Sequence, residues 1–99
     1  MARKKTRSIT VIGRKWFDKI NGNTYFTARI LVNGECVHEL PMQYGYGEHY
    51  IQAAGEWLQA NKYFPADEDG RHTPLWSLCR DAGITFDYSA TDVTRKRDL

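Results

Sequence analysis

The sequence predicts a two-layer α+β domain in which an antiparallel sheet carries two helices packed on one face. Two patterns support this fold class. Apolar and polar residues alternate with a period of two in residues 25–32 and 84–91, and apolar residues recur every three or four positions in residues 50–61. Stacking the sheet and the helices buries the apolar side of each. The predicted order is β-β-β-α-α-β, a three-stranded meander followed by two helices and a C-terminal strand, with the second sheet face left open.

The meander is predicted from three strands at residues 8–12, 25–32 and 35–40. Asn33-Gly34 separates the second strand from the third, and this dipeptide favours the two positive φ angles of a type I′ hairpin. Pro41 has no backbone N–H to donate, so it either ends the third strand or lies on an edge of the sheet.

The Asn-Gly turn also predicts the register of this hairpin. With two residues in the turn, Arg29 would lie nearly opposite His38, and Leu31 would lie opposite Cys36 on the same side. Because side chains alternate along a strand, a shift of one residue would move each of them to the other face.

Two helices are predicted after the meander. Residues 50–61 form the first, in which Gly55 costs about 1 kcal/mol relative to alanine, a cost more easily tolerated if a strand passes close by. The second covers residues 75–82, because Thr73 is predicted to be its N-cap, with Pro74 at the first helical position, and Gly83 is typical of the position after a helix end.

A single domain is predicted at residues 8–99, after a basic N-terminal arm at residues 1–7. With 99 residues, of which 41% are hydrophobic, the chain can bury one core. No apolar run approaches the ~18 residues of a membrane span or resembles a signal peptide, so we expect a cytoplasmic protein without a membrane partner. Cys36 and Cys79 suit a reducing compartment, and we expect both to be free and largely buried.

The formal charge of +2 conceals a separation of charge along the chain. Residues 1–19 carry seven basic and one acidic side chain, residues 20–94 carry four basic and ten acidic ones, and residues 95–99 carry three basic and one acidic. Two basic ends on an acidic body can steer an anionic partner toward the ends, although charged termini also serve solubility alone.

Residues 13–25 are predicted to form a basic, aromatic hairpin tip between the first two strands. A loop of this composition is costly to leave in water, so we expect it to make a contact. The candidate binding residues are Arg14, Lys15, Trp16, Phe17 and Lys19. The alternative is that Trp16 and Phe17 fold back over the core as a lid.

Nucleic acid is one class of partner that suits these residues. Lys and Arg neutralise phosphates, and an interleaved Trp or Phe can stack on an exposed base or wedge into a groove. A basic C-terminal segment would extend the DNA or RNA contact through Arg95, Lys96 and Arg97.

A protein partner is the other class. Tyrosine and tryptophan are over-represented at interface hot spots, and Tyr44 and Tyr46 lie in a connector where core packing cannot absorb all the aromatic residues. A homodimer through this tyrosine-rich edge is a further alternative. Three other aromatic residues are expected in the core, namely Tyr50, Trp57 and Trp76.

The sequence predicts no enzyme, metal site or cofactor. Cys36 and His38 could supply two zinc ligands, but two further ligands are missing. The acidic residues 67–69 lack the pattern of an EF-hand loop, and both they and His72 are expected to be solvated turn residues. Residues 45–47, reading GYG, lack the third glycine and the lysine of a phosphate loop.

Residues 13–17 (GRKWF), 22–25 (GNTY) and 92–99 (DVTRKRDL) carry a resemblance that extends over nearly the whole chain. The chain resembles small proteins encoded by bacteriophages and prophages, most of them of unassigned function. The resemblance implies a phage accessory gene product that binds nucleic acid or a host factor, including components of antiviral defence.

These observations lead to one hypothesis and one alternative. The hypothesis is a non-enzymatic phage accessory protein in the bacterial cytoplasm, which binds a host protein or nucleoprotein stoichiometrically as an anti-CRISPR-like inhibitor. The alternative is a small DNA- or RNA-binding module that uses the hairpin tip and the basic termini.

Overall fold

The computed structural model describes residues 6–64 and 73–99 and contains one four-stranded sheet and two α-helices. The strands pair in the order β3-β2-β1-β4. A short 3-10 turn at Lys96–Asp98 follows the last strand. In chain order the elements are β1 Ser8–Asp18, β2 Asn23–Val32, β3 Glu35–Tyr44, α1 His49–Ala60, α2 Leu75–Ala82 and β4 Thr85–Val93.

The α+β fold class and the order β-β-β-α-α-β are confirmed, and the direction of the last strand makes the sheet mixed. β1, β2 and β3 form the predicted antiparallel meander, but β4 pairs in parallel with β1, from Ser8 opposite Thr85 to Trp16 opposite Val93. Parallel neighbours need a long crossover connection, and here the segment that contains α1 and α2 makes it. As a result β4 ends beside the β1–β2 turn.

The predicted loop at residues 13–25 is wrong, because most of it is strand. β1 continues to Asp18 and β2 begins at Asn23, so that only four residues remain in the turn. The Asp18 carboxylate accepts hydrogen bonds from the backbone N–H groups of Ile20 and Asn21 and from the Asn21 side chain. Gly22, at φ 71°, donates its N–H to Asp18 O over 2.7 Å and closes the turn. These bonds let the ladder extend beyond the predicted strand end.

The second hairpin confirms the predicted turn but only half of the predicted register. Asn33 and Gly34 have φ 54° and 81°, as a type I′ turn requires, and Leu31 lies opposite Cys36. Beyond that pair the register shifts, so that Ile30 pairs with His38. The extra residue in β3 is a bulge, which reverses the alternation.

The bulge changes the partners of two charged or polar side chains. Arg29 lies opposite Glu39 and pairs with it over 3.2 Å, instead of lying opposite His38. His38 moves to the helix side, where its ring stacks on Trp57 with centroids 4.5 Å apart. Pro41 lies inside β3, which is an edge strand, in agreement with the second of the two predicted places for it.

The core lies between the helices and one face of the sheet. Along β1 the buried residues Ile9, Val11 and Gly13 alternate with residues that are more exposed, and β2 shows the same alternation. The helices contribute Tyr50, Ala54, Leu58, Leu75 and Cys79 to this core.

Three predictions about helix residues need correction. The element that passes close to Gly55 is α2, since a Cβ there would lie 3.4 Å from Leu75 Cβ. Pro74 occupies the N-cap position of α2, whereas the predicted C-terminal glycine, Gly83, has φ 70° as expected. Trp76 is 55% exposed and is not a core residue, because it lies on the outer side of α2.

No helix within residues 6–64 and 73–99 has both the length and the apolar character that crossing a membrane requires.

Candidate binding surface at one end of the sheet

The parallel pairing of β4 brings the C-terminal segment beside the hairpin tip. Val93, at the end of β4, is the register partner of Trp16, and the chain then turns back through the 3-10 turn. There the Arg14 Nη1 group donates a hydrogen bond to Asp98 O over 3.3 Å. The two basic segments that are far apart in sequence therefore meet at one end of the sheet.

The basic aromatic segment of β1 is divided between the two faces of the sheet. Arg14 and Trp16 lie on the open face, whereas Lys15 and Phe17 follow the alternation of the buried residues and lie on the helix face. Lys15 Nζ lies 5.3 Å from the centroid of the Tyr50 ring, a cation–π contact. Phe17 is exposed beyond the end of the core. The five residues therefore cannot form one continuous contact surface, as the predicted loop would have done.

Three aromatic rings cross the open face near this end of the sheet, one from each strand of the meander. Trp16 lies opposite Tyr25, and Tyr25 lies opposite Tyr44. The Trp16 and Tyr25 ring centroids are 5.9 Å apart, and those of Tyr25 and Tyr44 are 6.0 Å apart. Tyr44, on the edge strand, is 57% exposed. We call these three residues the aromatic row.

The two segments that meet at this end of the sheet carry a net positive charge. Residues 13–25 and 91–99 together contain six basic and three acidic side chains, a balance of +3. Arg14 and Arg97 line the same shallow depression beside the end of β4. Hydrogen bonds from Asn21, its side chain first, lower the pKa of Asp18, and the positive charge of Lys96 contributes in the same direction. Asp18 thus remains ionised and holds the turn, while its charge partly offsets the basic residues.

Two further predicted site residues lie near this surface. Lys19 is exposed in the turn that follows Asp18, and Arg95 is exposed directly before the 3-10 turn. The Arg95 carbonyl accepts a hydrogen bond from the Asp98 N–H over 3.0 Å, which fixes its backbone in the turn.

Tyr46 lies away from the aromatic row. It is 71% exposed and lines a groove of about 650 Å³ between α1 and the start of α2. Glu48 and Trp76 line the same groove, whose chemistry is therefore acidic and aromatic. Tyr44 also lines this groove, so it lies between the aromatic row and the groove, whereas Tyr46 belongs to the groove alone.

The basic N-terminal arm joins β1 at the opposite end of the sheet. The Arg7 backbone N–H donates to Asn33 Oδ1 over 2.7 Å, beside the β2–β3 turn. β1 has 11 residues, which at ~3.3 Å per residue separate its two ends by roughly 33 Å. Residues 1–5 lie outside the described residues, so the predicted arm is placed only at its last two positions.

Two residues of this region were not singled out by the sequence analysis. Tyr25 is the middle ring of the aromatic row, and the signal for it was the register that the β1–β2 hairpin imposes on Trp16 and Tyr25. Ile20, at the tip of the turn, is 94% exposed. It is an apolar side chain at the outermost point of the hairpin, and a local composition count does not distinguish it from a core isoleucine.

The candidate catalytic and metal-binding residues are distributed over the molecule. Cys36 is exposed, contrary to the expectation that both free cysteines are buried, because it lies on the open face of an edge strand. Cys79 is buried in α2, and burial raises the pKa of its thiol to about 11. His72 and residues 67–69 lie outside the described residues. Within residues 6–64 and 73–99, no three His, Cys, Asp or Glu side chains are grouped so that they could hold a metal ion.

The structure thus brings together some of the predicted site residues and separates others. One surface, formed by the aromatic row and the adjoining C-terminal segment, contains Arg14, Trp16, Tyr44, Lys96 and Arg97. Lys15, Phe17 and Tyr46 lie elsewhere. Comparisons of the chain with protein-family models, with curated proteins and with solved structures find no match.

Proposed function

We propose that this protein is a non-enzymatic phage accessory protein that binds a host nucleoprotein stoichiometrically in the bacterial cytoplasm, and thereby disarms host defence. The observation that carries the proposal is the meeting of the aromatic row with Arg14, Lys96 and Arg97 at one end of the sheet. A nucleoprotein offers both protein and nucleic acid to such a surface.

The chemistry of this surface supports a contact role. Exposed tyrosine, tryptophan and arginine are the residues that most often dominate binding energy at interfaces. Tyr44 is a tyrosine of this kind, because it is exposed and belongs to an edge strand. The phage setting and the counter-defence role rest on the resemblance of residues 13–17, 22–25 and 92–99 to small phage proteins.

A direct DNA- or RNA-binding module is the second candidate. It is favoured by the positive balance of the region, since Lys and Arg that neutralise phosphates release counterions and supply sequence-independent affinity. For a DNA- or RNA-binding module, nucleic acid alone is sufficient for binding. The nucleoprotein-binding proposal requires a host protein as well.

A tagged pull-down from a bacterial host lysate, performed with and without nuclease, tests the proposal. We expect a specific host protein to be retained after nuclease treatment, to saturate at a fixed ratio to the bait, and to be lost in part with Tyr44→Ala. Tyr88→Ala is the matched control, because it removes a tyrosine of similar exposure, 53% against 57%, from β4 on the helix face of the sheet.

Two outcomes would count against the proposal. Recovery that disappears completely with nuclease would favour the second candidate. Recovery of a turnover activity that a single side-chain substitution abolishes would exclude a non-enzymatic role. Sedimentation velocity of the protein alone tests the homodimer alternative, in which the Tyr44 edge contacts a second copy.

A further inference from the structure

We infer that the aromatic row is a stacking platform for unpaired bases, so that the nucleic acid which this surface accepts is single-stranded. The inference rests on the proposed function, because it concerns the same surface and names the chemical form of its partner. The bases would lie along Trp16, Tyr25 and Tyr44, and the phosphates would follow Arg14, Lys96 and Arg97.

The spacing of the rings suits a strand of nucleic acid. The three rings come from three neighbouring strands of the sheet, and their centroids are separated by 5.9 and 6.0 Å. The Trp16 and Tyr25 rings are stacked at an interplanar angle of 26°, and the Tyr44 ring stands edge-on to Tyr25 at 78°. The Tyr44 ring, 57% exposed, is therefore the ring on which an unpaired base can stack most freely. Sheet faces that bear aromatic side chains are known to stack two or three bases in this way. Stacking also tolerates any sequence, because every base has a π face.

The basic residues lie beside the aromatic row, where they can contact the phosphates of a strand whose bases stack on the rings. Arg14 is two residues before Trp16 on the same face of β1, and Arg97 lines the same depression as Arg14. Arg29 is less available on this face, because its guanidinium pairs with Glu39. The basic residues therefore favour a polyanion as the partner. The aromatic rings favour a polyanion whose bases are accessible.

A duplex fits this surface less well than a single strand. In a duplex the faces of the bases are hidden by stacking, and a protein reaches only their edges in the grooves. Both described helices pack on the opposite side of the sheet, so the open face presents rings and strands rather than a helix that could enter a major groove.

Fluorescence anisotropy with labelled oligonucleotides of about 12 nucleotides tests the inference, since small sheet domains cover ~4–16 nucleotides. The probes are a single-stranded DNA, a single-stranded RNA and the matching DNA duplex, all at the same low salt concentration. We expect the single strands to bind at least 10-fold more tightly than the duplex. Trp16 fluorescence should be quenched on binding, measured in a Trp57→Phe, Trp76→Phe background.

Substitutions in the aromatic row provide the second measurement. Tyr44→Ala should weaken single-strand binding by about 5-fold to 100-fold, the range that loss of one base–aromatic stack produces. Tyr44→Phe should restore binding, because it keeps the ring. Tyr88→Ala and Lys62→Gln, which remove an aromatic ring and a charge at other places, should leave the affinity unchanged.

Equal affinity for single strand and duplex, with no effect of Tyr44→Ala, would overturn the inference and indicate binding by charge alone. An absence of binding to every probe would also overturn it. The proposed function fails separately, namely when no host protein is retained after nuclease treatment. Single-strand binding without such a protein would support the inference and contradict the nucleoprotein proposal.

Discussion

Gly13 lies on β1 directly beneath the ring of Tyr50. A Cβ at this position would lie 2.8 Å from Tyr50 Cδ2 and 3.1 Å from Cγ, both closer than van der Waals contact. The absence of a side chain therefore lets α1 approach the sheet. Lys15, two residues further along the same face of β1, makes a cation–π contact with the same ring.

We predict that Gly13→Ala lowers the free energy of unfolding by about 1–3 kcal/mol, the usual cost of overpacking a core. Gly55→Ala is the matched control, because its Cβ would meet Leu75 Cβ at 3.4 Å and the helix gains about 1 kcal/mol of propensity. The control should be as stable as the parent or more stable. Urea denaturation measures both, and a Gly13→Ala protein of parental stability would contradict the packing of Tyr50 against β1.

The two cysteines differ in environment, and their reactivity should differ accordingly. The thiolate is the reactive form, and burial raises the pKa of the Cys79 thiol to about 11, so that this thiol is neutral and shielded near neutral pH. We predict that a thiol reagent labels Cys36 rapidly in the folded protein and Cys79 only on unfolding. In Cys36→Ser, rapid labelling should disappear. Fast labelling of the remaining cysteine there would show that α2 does not bury it.

The same pKa shift predicts how stability depends on alkaline pH. The folded-state pKa of Cys79 is raised from 9.0 to about 11, so its contribution is present below pH 9 and is lost as pH rises to about 11. Burial also raises the pKa of Tyr50, which acts in the same direction. We expect the free energy of unfolding to fall over this interval. The fall should be shallower in Cys79→Ala, and equal slopes in the two proteins would contradict the shift.

At the scale of the elements, the bulge in β3 decides which face His38 occupies. With the bulge, the His38 ring stacks on Trp57 on the helix side, at an interplanar angle of 10°. Without it, His38 would be on the open face beside Arg29. The face of the sheet on which His38 lies therefore shows which register β2 and β3 adopt.

We predict that His38→Ala changes the fluorescence of Trp57 and destabilises the protein by about 1 kcal/mol, as loss of an aromatic pair does. Arg29→Ala is the control, because its exposed ion pair with Glu39 contributes little. Both are measured by denaturation followed at the tryptophan emission. If His38→Ala left emission and stability unchanged, the register without a bulge would be correct.

The elements show how far local sequence determines this fold. The Asn33-Gly34 turn, α2 and the element order were predictable, because turn residues and periodicity act over a few positions. The bulge between Cys36 and His38 was not, since it depends on packing of His38 against Trp57 in another element. The extension of β1 to Asp18 likewise depends on its pairing with β2 and on the Asp18 turn.

The candidate site was predictable in composition but not in arrangement. Arg14, Trp16 and Arg97 were recognised as contact residues, yet their meeting depends on β4 running parallel to β1. Strand direction is set by the connection through both helices, which no local pattern reveals. Alternation along β1 then places Lys15 on the other face.

At the scale of the whole molecule, the two basic ends are separated. Arg7 lies beside the β2–β3 turn, and Lys96 lies at the far end of the sheet near Asp18. The two basic segments of the sequence therefore lie at opposite ends of β1. Only the C-terminal segment adjoins the aromatic row.

This arrangement predicts how binding responds to salt. For single strands the logarithm of affinity falls with the logarithm of salt concentration with a slope of about −0.7 per phosphate neutralised. Lys96→Gln combined with Arg97→Gln should therefore make the slope shallower by about 1.4. Arg7→Gln, at the opposite end, should leave it unchanged. A slope that responds equally to both changes would mean that the contact is not confined to one end.

The central claim is that the protein contacts its partner through the aromatic row and the adjoining C-terminal segment. Hydrogen–deuterium exchange of the free protein and of the protein bound to its captured partner tests this most directly, since it locates the contact whatever the partner is. We predict slower exchange in residues 14–25 and 93–99, with α1 and residues 6–8 unchanged. Protection confined to the α1–α2 groove, with the end of β1 still exchanging freely, would contradict the claim.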